Sequence, residues 1–227
     1  MNYILDPVEV RVLGCLLEKE LITPDGYPLS LVALTTACNQ KSSREPVMTL
    51  EEATVADTVT ILMKKHLVRE RGGASSRVSK YAHRLSGNMD PADDFSQRQR
   101  ALLGLLMLRG PQTLGELRTR SGRMYDFQDL DEVEETLSEL MSRHDGPYIA
   151  ELPRLSGQRE RRFMHLLSGD TVPEMAVATS HKSIETDTSE RINALEEEVA
   201  ALRDALAELR EQIGVFQQRL ENMAENQ

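Results

Sequence analysis

The sequence predicts a mainly α-helical α+β fold in which a unit of three helices and one β-hairpin occurs twice and is followed by a long C-terminal helix. Three observations lead to this prediction: an internal repeat, capping motifs ahead of amphipathic segments, and a heptad pattern near the end of the chain. Val55 and Leu62, for example, return 78 residues later as Val133 and Leu140. A repeat of this kind indicates one supersecondary unit that is used twice.

The helices of the first unit are predicted from their capping residues. Asp6, Pro7 and Glu9 combine an N-cap, a first-turn proline and a reciprocating carboxylate, so the first helix begins there. Ser30 is predicted to cap a second helix that ends near Asn39.

A third helix and a hairpin are predicted to complete the first unit. Thr49 and Glu52 resemble another capping box, and the apolar residues that follow keep a helical period. Residues 67–71 and 77–85 alternate polar and apolar side chains around a glycine-rich turn, which predicts a β-hairpin.

The second unit repeats this order, with Thr113 and Glu116 as its capping box. The shift between equivalent residues is 90 at the first helix, 78 at the third helix and 82 at the hairpin, so the units differ in their loops. Its predicted helices and strands are 97–108, 114–121, 131–143, 148–152 and 161–167. Three helices followed by a hairpin is the order of a winged helix. We therefore predict two tandem winged-helix domains, 1–86 and 96–167, joined by a short connector, 87–95.

The tail is predicted to be a polar linker, 168–188, followed by a coiled-coil helix, 189–225. Its apolar residues recur at alternating intervals of three and four: Ile192, Leu195, Val199, Leu202, Leu206, Leu209, Ile213, Phe216, Leu220 and Met223. A sustained heptad pattern with Ile or Val at early a positions and Leu at d favours a parallel homodimer. The alternative is a helix that folds back on its own chain.

Composition and charge limit the possible functions. The chain has 227 residues and a net charge of −10, but residues 168–227 contain 13 of the 37 acidic and 5 of the 27 basic side chains. Residues 1–167 are therefore nearly neutral, and a basic face remains possible there. Tryptophan is absent and aromatics are scarce, which disfavours stacking platforms for unpaired bases.

The sequence also predicts a cytoplasmic protein that does not enter a membrane. It has only two cysteines, charged residues near its N-terminus and no long apolar stretch.

The sequence contains no recognisable catalytic or metal site. His66, His83, His144 and His165 fall at repeat-equivalent places without the close spacing of zinc ligands, which predicts packing or capping roles. No glycine-rich phosphate loop follows a predicted strand. We therefore expect no cofactor and no enzymatic activity.

Basic residues collect in the loops and hairpins, whereas the predicted third helices are acidic. A DNA contact would therefore involve the wings and basic loops more than the third helices. The candidate DNA-binding residues are Lys41, Arg44, Arg69, Arg71, Arg77, Lys80, Arg118, Arg120, Arg123, Arg159, Arg161 and Arg162. For each of them taken singly, a solvated side chain or an intramolecular acidic partner is the alternative.

Several strings of residues resemble the YceH-like family of uncharacterised bacterial proteins. They are residues 27–30 (YPLS), 37–41 (ACNQK), 44–48 (REPVM), 115–118 (GELR), 124–127 (MYDF) and 162–166 (RFMHL). The resemblance covers nearly the whole chain and implies a tandem winged-helix fold. It implies neither an activity nor any functional residue.

Two functions remain open from the sequence. The first is a dimeric regulatory protein that binds duplex DNA through its wings and basic loops. The second is a scaffold whose winged domains bind another protein, which the acidic third helices favour.

Overall fold

The protein is an α+β protein with small antiparallel sheets. The computed structural model describes residues 4–72, 78–87, 94–153 and 160–169. In the first half lie α1 (Pro7–Ile22), a 3-10 turn (Pro24–Gly26), β1 (Leu29–Ser30), α2 (Leu31–Cys38), α3 (Glu52–Lys64), β2 (Val68–Arg71) and β3 (Lys80–His83). In the second half lie α4 (Gln97–Arg109), β4 (Gln112–Thr113), α5 (Leu114–Ser121), α6 (Leu130–Met141), β5 (Ile149–Glu151) and β6 (Arg162–His165).

The order of elements in the second half repeats that of the first. Each half has one antiparallel three-stranded sheet, with strand order β1-β3-β2 in the first and β4-β6-β5 in the second. The registers also correspond, since Leu29 pairs with Tyr81 and Gln112 pairs with Phe163. The two-residue strands β1 and β4 extend each predicted hairpin to three strands.

Most of the predicted helix starts are confirmed by their caps. Both hydrogen bonds of the capping box form between Asp6 and Glu9 at α1 and between Thr113 and Glu116 at α5. The Ser30 hydroxyl likewise accepts a hydrogen bond from an N–H in the first turn of α2. These interactions satisfy amide groups that a helix start otherwise leaves without partners.

The predicted cap at Thr49 is wrong. The third helix begins at Glu52 and has Glu51 as its N-cap residue, without a side-chain cap. The reason is that the Asn39 side chain accepts a hydrogen bond from Leu50 N at 2.7 Å and donates one to Leu50 O at 2.8 Å. These bonds use both backbone groups of Leu50, so the helix starts after it.

The two halves share one hydrophobic core, which is built around α1 and α4. The helices approach closely at Gly14 and Gly104, which are equivalent residues of the repeat. A Cβ atom on Gly14 would lie 3.1 Å from Leu108 Cγ, and one on Gly104 would lie 3.4 Å from Leu17 Cβ. Both halves therefore belong to a single compact unit, residues 1–172.

Reciprocal backbone hydrogen bonds also join the halves. Leu5 N, before α1, donates to Leu167 O, after β6, at 2.7 Å. Phe95 N, before α4, donates to Leu85 O, after β3, at 2.9 Å. Leu5 corresponds to Phe95 in the repeat, and Leu85 corresponds to Leu167. A residue before the first helix of each half is therefore hydrogen-bonded to a residue after the last strand of the other half.

The predicted coiled-coil helix, with its ten heptad residues, and nearly all of the predicted linker lie outside the described residues. Within the described part of the chain, none of the helices combines the length and apolar character needed to cross a bilayer.

Candidate nucleic-acid interface

Basic side chains converge on a cleft between the two halves. The cleft has a volume of about 560 Å³ and opens where the C-terminal ends of α1, α4 and α5 approach residues 40–43. We call its cations the cleft cluster: Lys19, Lys41, Arg109, Arg120 and Arg123. The predicted candidates Lys41, Arg120 and Arg123 are thus brought together.

Like charges approach one another inside this cleft. The Arg109 guanidinium donates to Ser43 Oγ at 2.8 Å, which fixes it against the loop that carries Lys41. Burial lowers the pKa of Arg109, and the charge of the nearby Arg120 lowers it further. An anion bound between these guanidiniums would offset the repulsion between their charges.

The one carboxylate among the described residues that line the cleft is already neutralised. Glu18 forms an ion pair with Arg44, with 2.6 Å between Oε2 and Nη2, and a longer one with Lys19 at 3.4 Å. Burial raises the pKa of Glu18, but the hydrogen bonds and charge of Arg44 outweigh it, so the pKa lies below its usual value. The cleft therefore keeps a net positive lining.

The assignment of Arg44 as a surface DNA contact is corrected by the structure. Its side chain is 0% exposed and donates to Glu18, to the Gln40 side chain and to the Ala37 carbonyl. The interaction with Glu18 is bidentate, so Arg44 holds the loop after α2 on to α1. It supports the cleft from beneath and cannot reach a ligand on the surface.

Several candidate cations of the second half have intramolecular partners. Arg118 donates to the carbonyls of Phe127 and Gln128, and Arg120 donates to Gln112 while it pairs with Glu116. Arg161 pairs with Glu134 at 2.7 Å, and Arg162 donates to the Pro111 carbonyl at 2.8 Å. Of the candidates described in the second half, Arg118 and Arg123 are exposed, and Arg123 is the exposed one that lines the cleft.

The first hairpin carries a second group of candidate cations. Arg71 and Lys80 are directly opposed across β2 and β3, and both are exposed. Like charges in such a pair destabilise a sheet, and an external anion would remove that cost. Arg69 lies closer to the core, with weak hydrogen bonds to the Ser86 and Gly87 carbonyls. Arg77 and Arg159 lie outside the described residues.

The acidic surface of α6 is largely paired within the protein. Arg98 of α4 contacts both Glu135 and Glu139, and Arg161 contacts Glu134. These pairs reduce the repulsion between α6 and phosphate that the sequence predicts. Glu51, the N-cap residue of α3, and Glu52 and Asp57 within α3 are exposed and take part in no ion pair among the described residues.

Known proteins with similar sequences define the family. Residues 5–158 match the family described as "Protein of unknown function, DUF480". The chain belongs to this family. It is 48% identical over 207 residues to a UPF0502 protein of Pectobacterium carotovorum, covering 89% of this chain and 96% of the relative. For the UPF0502 proteins of Enterobacter sp. and Vibrio atlanticus, identity is 48% and 46% over 203 residues, covering 89% of this chain and 94% and 93% of the relatives.

The resemblance to uncharacterised bacterial proteins is thereby confirmed, and the DUF480 match spans the cleft cluster. Lys19, Lys41, Arg109, Arg120 and Arg123 all lie within the matched residues.

The histidines of this DUF480 protein occupy unlike environments despite their equivalent positions. His83 is buried and lies 2.8 Å from Glu20 through Nε2, and its Nδ1 accepts from Leu85 N. His165 has no such carboxylate among the described residues, and burial lowers its pKa to about 4. His66 is exposed with a φ of 58° just after α3. No cluster of three metal-ligating side chains occurs in the described ranges.

Sequence reasoning missed Lys19 and Arg109 as members of the cleft. Each lies in the last turn of its helix, where a cation is expected for the helix dipole alone. The repeat could have indicated both residues. Lys19 and Arg109 lie at the ends of the first and fourth helices, which are equivalent, and these ends become neighbours once the two helices pack together.

Proposed function

We propose that this protein is a non-catalytic, regulatory DNA-binding protein. It would hold the phosphate backbone of a duplex in the cleft between its two halves and on its first hairpin. The observation that carries the proposal is the convergence of five cations on one cleft whose lining carboxylate is already bound to Arg44. Residence in the cytoplasm and assembly into a homodimer through the C-terminal heptads belong to the same proposal.

We assign each half to the winged-helix fold, and this assignment is part of the proposal. Each half has a helix, a short strand, two helices and two strands, with the last strand at the centre of the sheet. Winged-helix domains commonly bind DNA, although the link from fold to function is an analogy. In this assignment α3 and α6 are the recognition helices, and the wings are the hairpins β2–β3 and β5–β6.

The side chains at the cleft suit phosphate better than base edges. Lys41 and Arg123 are exposed cations, and Ser42 and Ser43 add hydroxyl groups beside them. Such groups commonly contact phosphate oxygens, which fix position without reading sequence. The exposed acids of α3 disfavour deep insertion of that helix into a groove, so we expect binding with little sequence preference.

Salt dependence of binding to a mixed-sequence duplex tests the proposal. With three to five phosphate contacts, the affinity should fall about 50- to 500-fold between 50 and 200 mM salt. Fluorescence anisotropy with a labelled duplex of about 20 base pairs, a length chosen to exceed one helical turn, measures this dependence. Absence of binding at the lower salt concentration would overturn the proposal.

Matched arginine variants locate the interface. We expect Arg123→Ala and Lys41→Ala each to weaken binding and to lower the salt slope by about one. Arg161→Ala removes the same charge as Arg123→Ala, but from a guanidinium that already pairs with Glu134 and lies 3.8 Å from Glu151. Lys80→Ala tests the hairpin separately. A loss confined to Arg161→Ala and Lys80→Ala would move the interface from the cleft to the hairpins.

A protein-binding scaffold is the second candidate. Exposed apolar side chains on α2, α3 and α6 favour it, namely Val32 at 62%, Ile61 at 42% and Leu130 at 45% exposure. In α6 the side chain of Leu130 lies among acidic residues, a combination suited to a protein surface more than to DNA. Failure to bind DNA, together with capture of a partner that Ile61→Ser abolishes, would favour this function.

A further inference from the structure

Two cysteines meet in the core beneath the cleft loop. Cys15 lies in the middle of α1, and Cys38 is the last residue of α2. Both are reduced and 0% exposed, and both lie beside Arg11, which precedes Cys15 by one turn of α1 and donates to the Cys38 carbonyl at 3.1 Å. The only two thiols of the chain therefore lie close together in the core, although 22 residues separate them in the sequence.

A buried cation without a carboxylate partner lies beside these thiols. Arg11 is 1% exposed, and it donates to the backbone carbonyls of Cys38 and Pro46. Its Nε atom is buried without a hydrogen-bond partner, and none of the ion pairs among the described residues includes Arg11. A buried charge of this kind is costly unless a negative group balances it.

The thiols are the groups placed to balance that charge. Of the acidic groups nearby, Glu18 is already bound to Arg44. Burial lowers the pKa of Arg11, while the neighbouring thiolates of Cys15 and Cys38 would raise it. A thiolate at this place would neutralise a guanidinium that otherwise has only carbonyl partners.

The two thiols have different tendencies to ionise. Burial raises the pKa of Cys15, but the hydrogen bond from Cys38 and the charges of Arg44 and Arg11 outweigh burial and the opposing charge of Glu18, so its pKa is lowered. The hydrogen bond to Cys15 and burial raise the pKa of Cys38. This asymmetry is typical of a nucleophilic cysteine with a resolving partner.

We propose that Cys15 and Cys38 are a redox pair that hydrogen peroxide converts to an intramolecular disulfide. The Cys15 thiolate sulfur attacks one peroxide oxygen, the O–O bond breaks, and the departing hydroxide takes up a proton to become water. The sulfur is then a sulfenic acid. The Cys38 sulfur attacks it, the S–S bond forms, the S–O bond breaks, and the second hydroxide leaves with the Cys38 proton as water. Two thiols lose two electrons, and one peroxide becomes two waters.

A disulfide suits this site better than a metal ion. Two thiols are too few for a structural zinc site, and the guanidiniums of Arg11 and Arg44 would repel a cation. Because both sulfurs are fully buried, the oxidant reaches them when the loop after α2 opens locally, and the rate depends on both this opening and the thiolate fraction of Cys15. Cys38 precedes residues 40–43 of the cleft loop, and oxidation therefore alters the support of the candidate interface.

Mapping of the thiols in the intact full-length chain tests the pair. The protein is treated with hydrogen peroxide, blocked with an alkylating reagent and digested without reduction, and its peptides are identified by mass spectrometry. We expect one peptide that links Cys15 to Cys38, the loss of both thiols together, and their return with a dithiol reductant. Persistent free thiols, separate sulfinic acids or only intermolecular disulfides would overturn the proposal. The readout does not depend on DNA binding, so it fails independently of the proposed function.

Two variants separate the roles of the residues. In Cys38→Ser the reaction should stop at a sulfenic acid on Cys15, which a carbon nucleophile such as dimedone traps. In Arg11→Met, which keeps the buried volume, we expect disulfide formation to slow by about tenfold because the thiolate fraction falls. An unchanged rate in folded Arg11→Met, checked by circular dichroism, would contradict the role of Arg11.

Discussion

Glu18 on α1 accepts two hydrogen bonds from Arg44, at 2.9 Å from Nη1 and 2.6 Å from Nη2, and this buried pair attaches the loop after α2 to the first helix. The side chains are 0% and 8% exposed, so solvent hardly screens their attraction. Because the same loop carries Lys41 and Ser43, the pair is a structural support for the candidate interface.

Loss of Arg44 should destabilise the protein. Arg44→Ala leaves the Glu18 carboxylate buried without its main partner, and we expect the free energy of unfolding to fall by about 3–5 kcal/mol. Urea denaturation followed by circular dichroism measures this change. Lys41→Ala, three residues earlier and exposed, is the matched control and should change stability by less than about 0.5 kcal/mol. An Arg44→Ala protein of unchanged stability would contradict the structural role.

Arg44 also shows where sequence reasoning ends. Its neighbours Lys41, Ser42, Ser43 and Glu45 are all polar, so local composition predicts a solvated loop. Its burial comes from Glu18, 26 residues earlier, and a contact at that separation leaves no periodic signal. The capping boxes at Asp6 and Thr113 were predictable because both partners of each lie within three residues.

The short strands illustrate a second limit. β1 and β4 contain two residues each, which is too short to display the alternation that identifies a strand. They form because β3 and β6 offer an open edge beside them. Helix α5, in contrast, was predicted with its bounds, since Thr113, Glu116 and the glycine after Ser121 mark both ends locally.

The two glycines at the α1–α4 contact should respond in opposite directions to alanine. In Gly14→Ala the new methyl group would lie 3.1 Å from Leu108 Cγ and from Met107 Cβ, so these neighbours must shift by a few tenths of an ångström in a tightly packed contact. In Gly104→Ala it would lie 3.4 Å from Leu17 Cβ, an ordinary contact, and the higher helix propensity of alanine contributes up to about 1 kcal/mol. We expect Gly14→Ala to lower the melting temperature and Gly104→Ala to keep or raise it.

Differential scanning calorimetry of both variants checks this prediction. Because the two substitutions are chemically identical and lie at equivalent positions of the repeat, each is the control for the other. Equal shifts in the same direction would show that the contact at Gly14 relaxes without cost.

His165 should make the protein less stable in mild acid. Its pKa is lowered to about 4 by burial, compared with about 6.5 in an unfolded chain, so between these values the unfolded state binds a proton that the folded state does not. The free energy of unfolding is therefore unaffected by the titration of His165 above pH 6.5. It falls as the pH drops toward 4, by up to on the order of 3 kcal/mol.

Urea denaturation between pH 7 and 4.5 measures this slope. His165→Gln cannot titrate, so its stability should vary less with pH over that range, whatever its stability at pH 7. The control is His66→Asn, because His66 is exposed at a positive φ that asparagine tolerates. The same pH slope in His165→Gln and in the native chain would contradict the prediction.

The C-terminal heptads should determine the oligomeric state. Leu206 occupies an a position at the middle of the pattern, so Leu206→Lys would place two charges against each other in a parallel dimer. We expect multi-angle light scattering to give a dimer mass for the native chain and a monomer mass for Leu206→Lys and for a chain that ends at Ser168. Ala207→Lys adds the same charge at the next position, b, which faces away from the partner helix, and should remain dimeric. If the tail instead packs on its own chain, all four proteins should have the monomer mass, and the parallel dimer would be rejected.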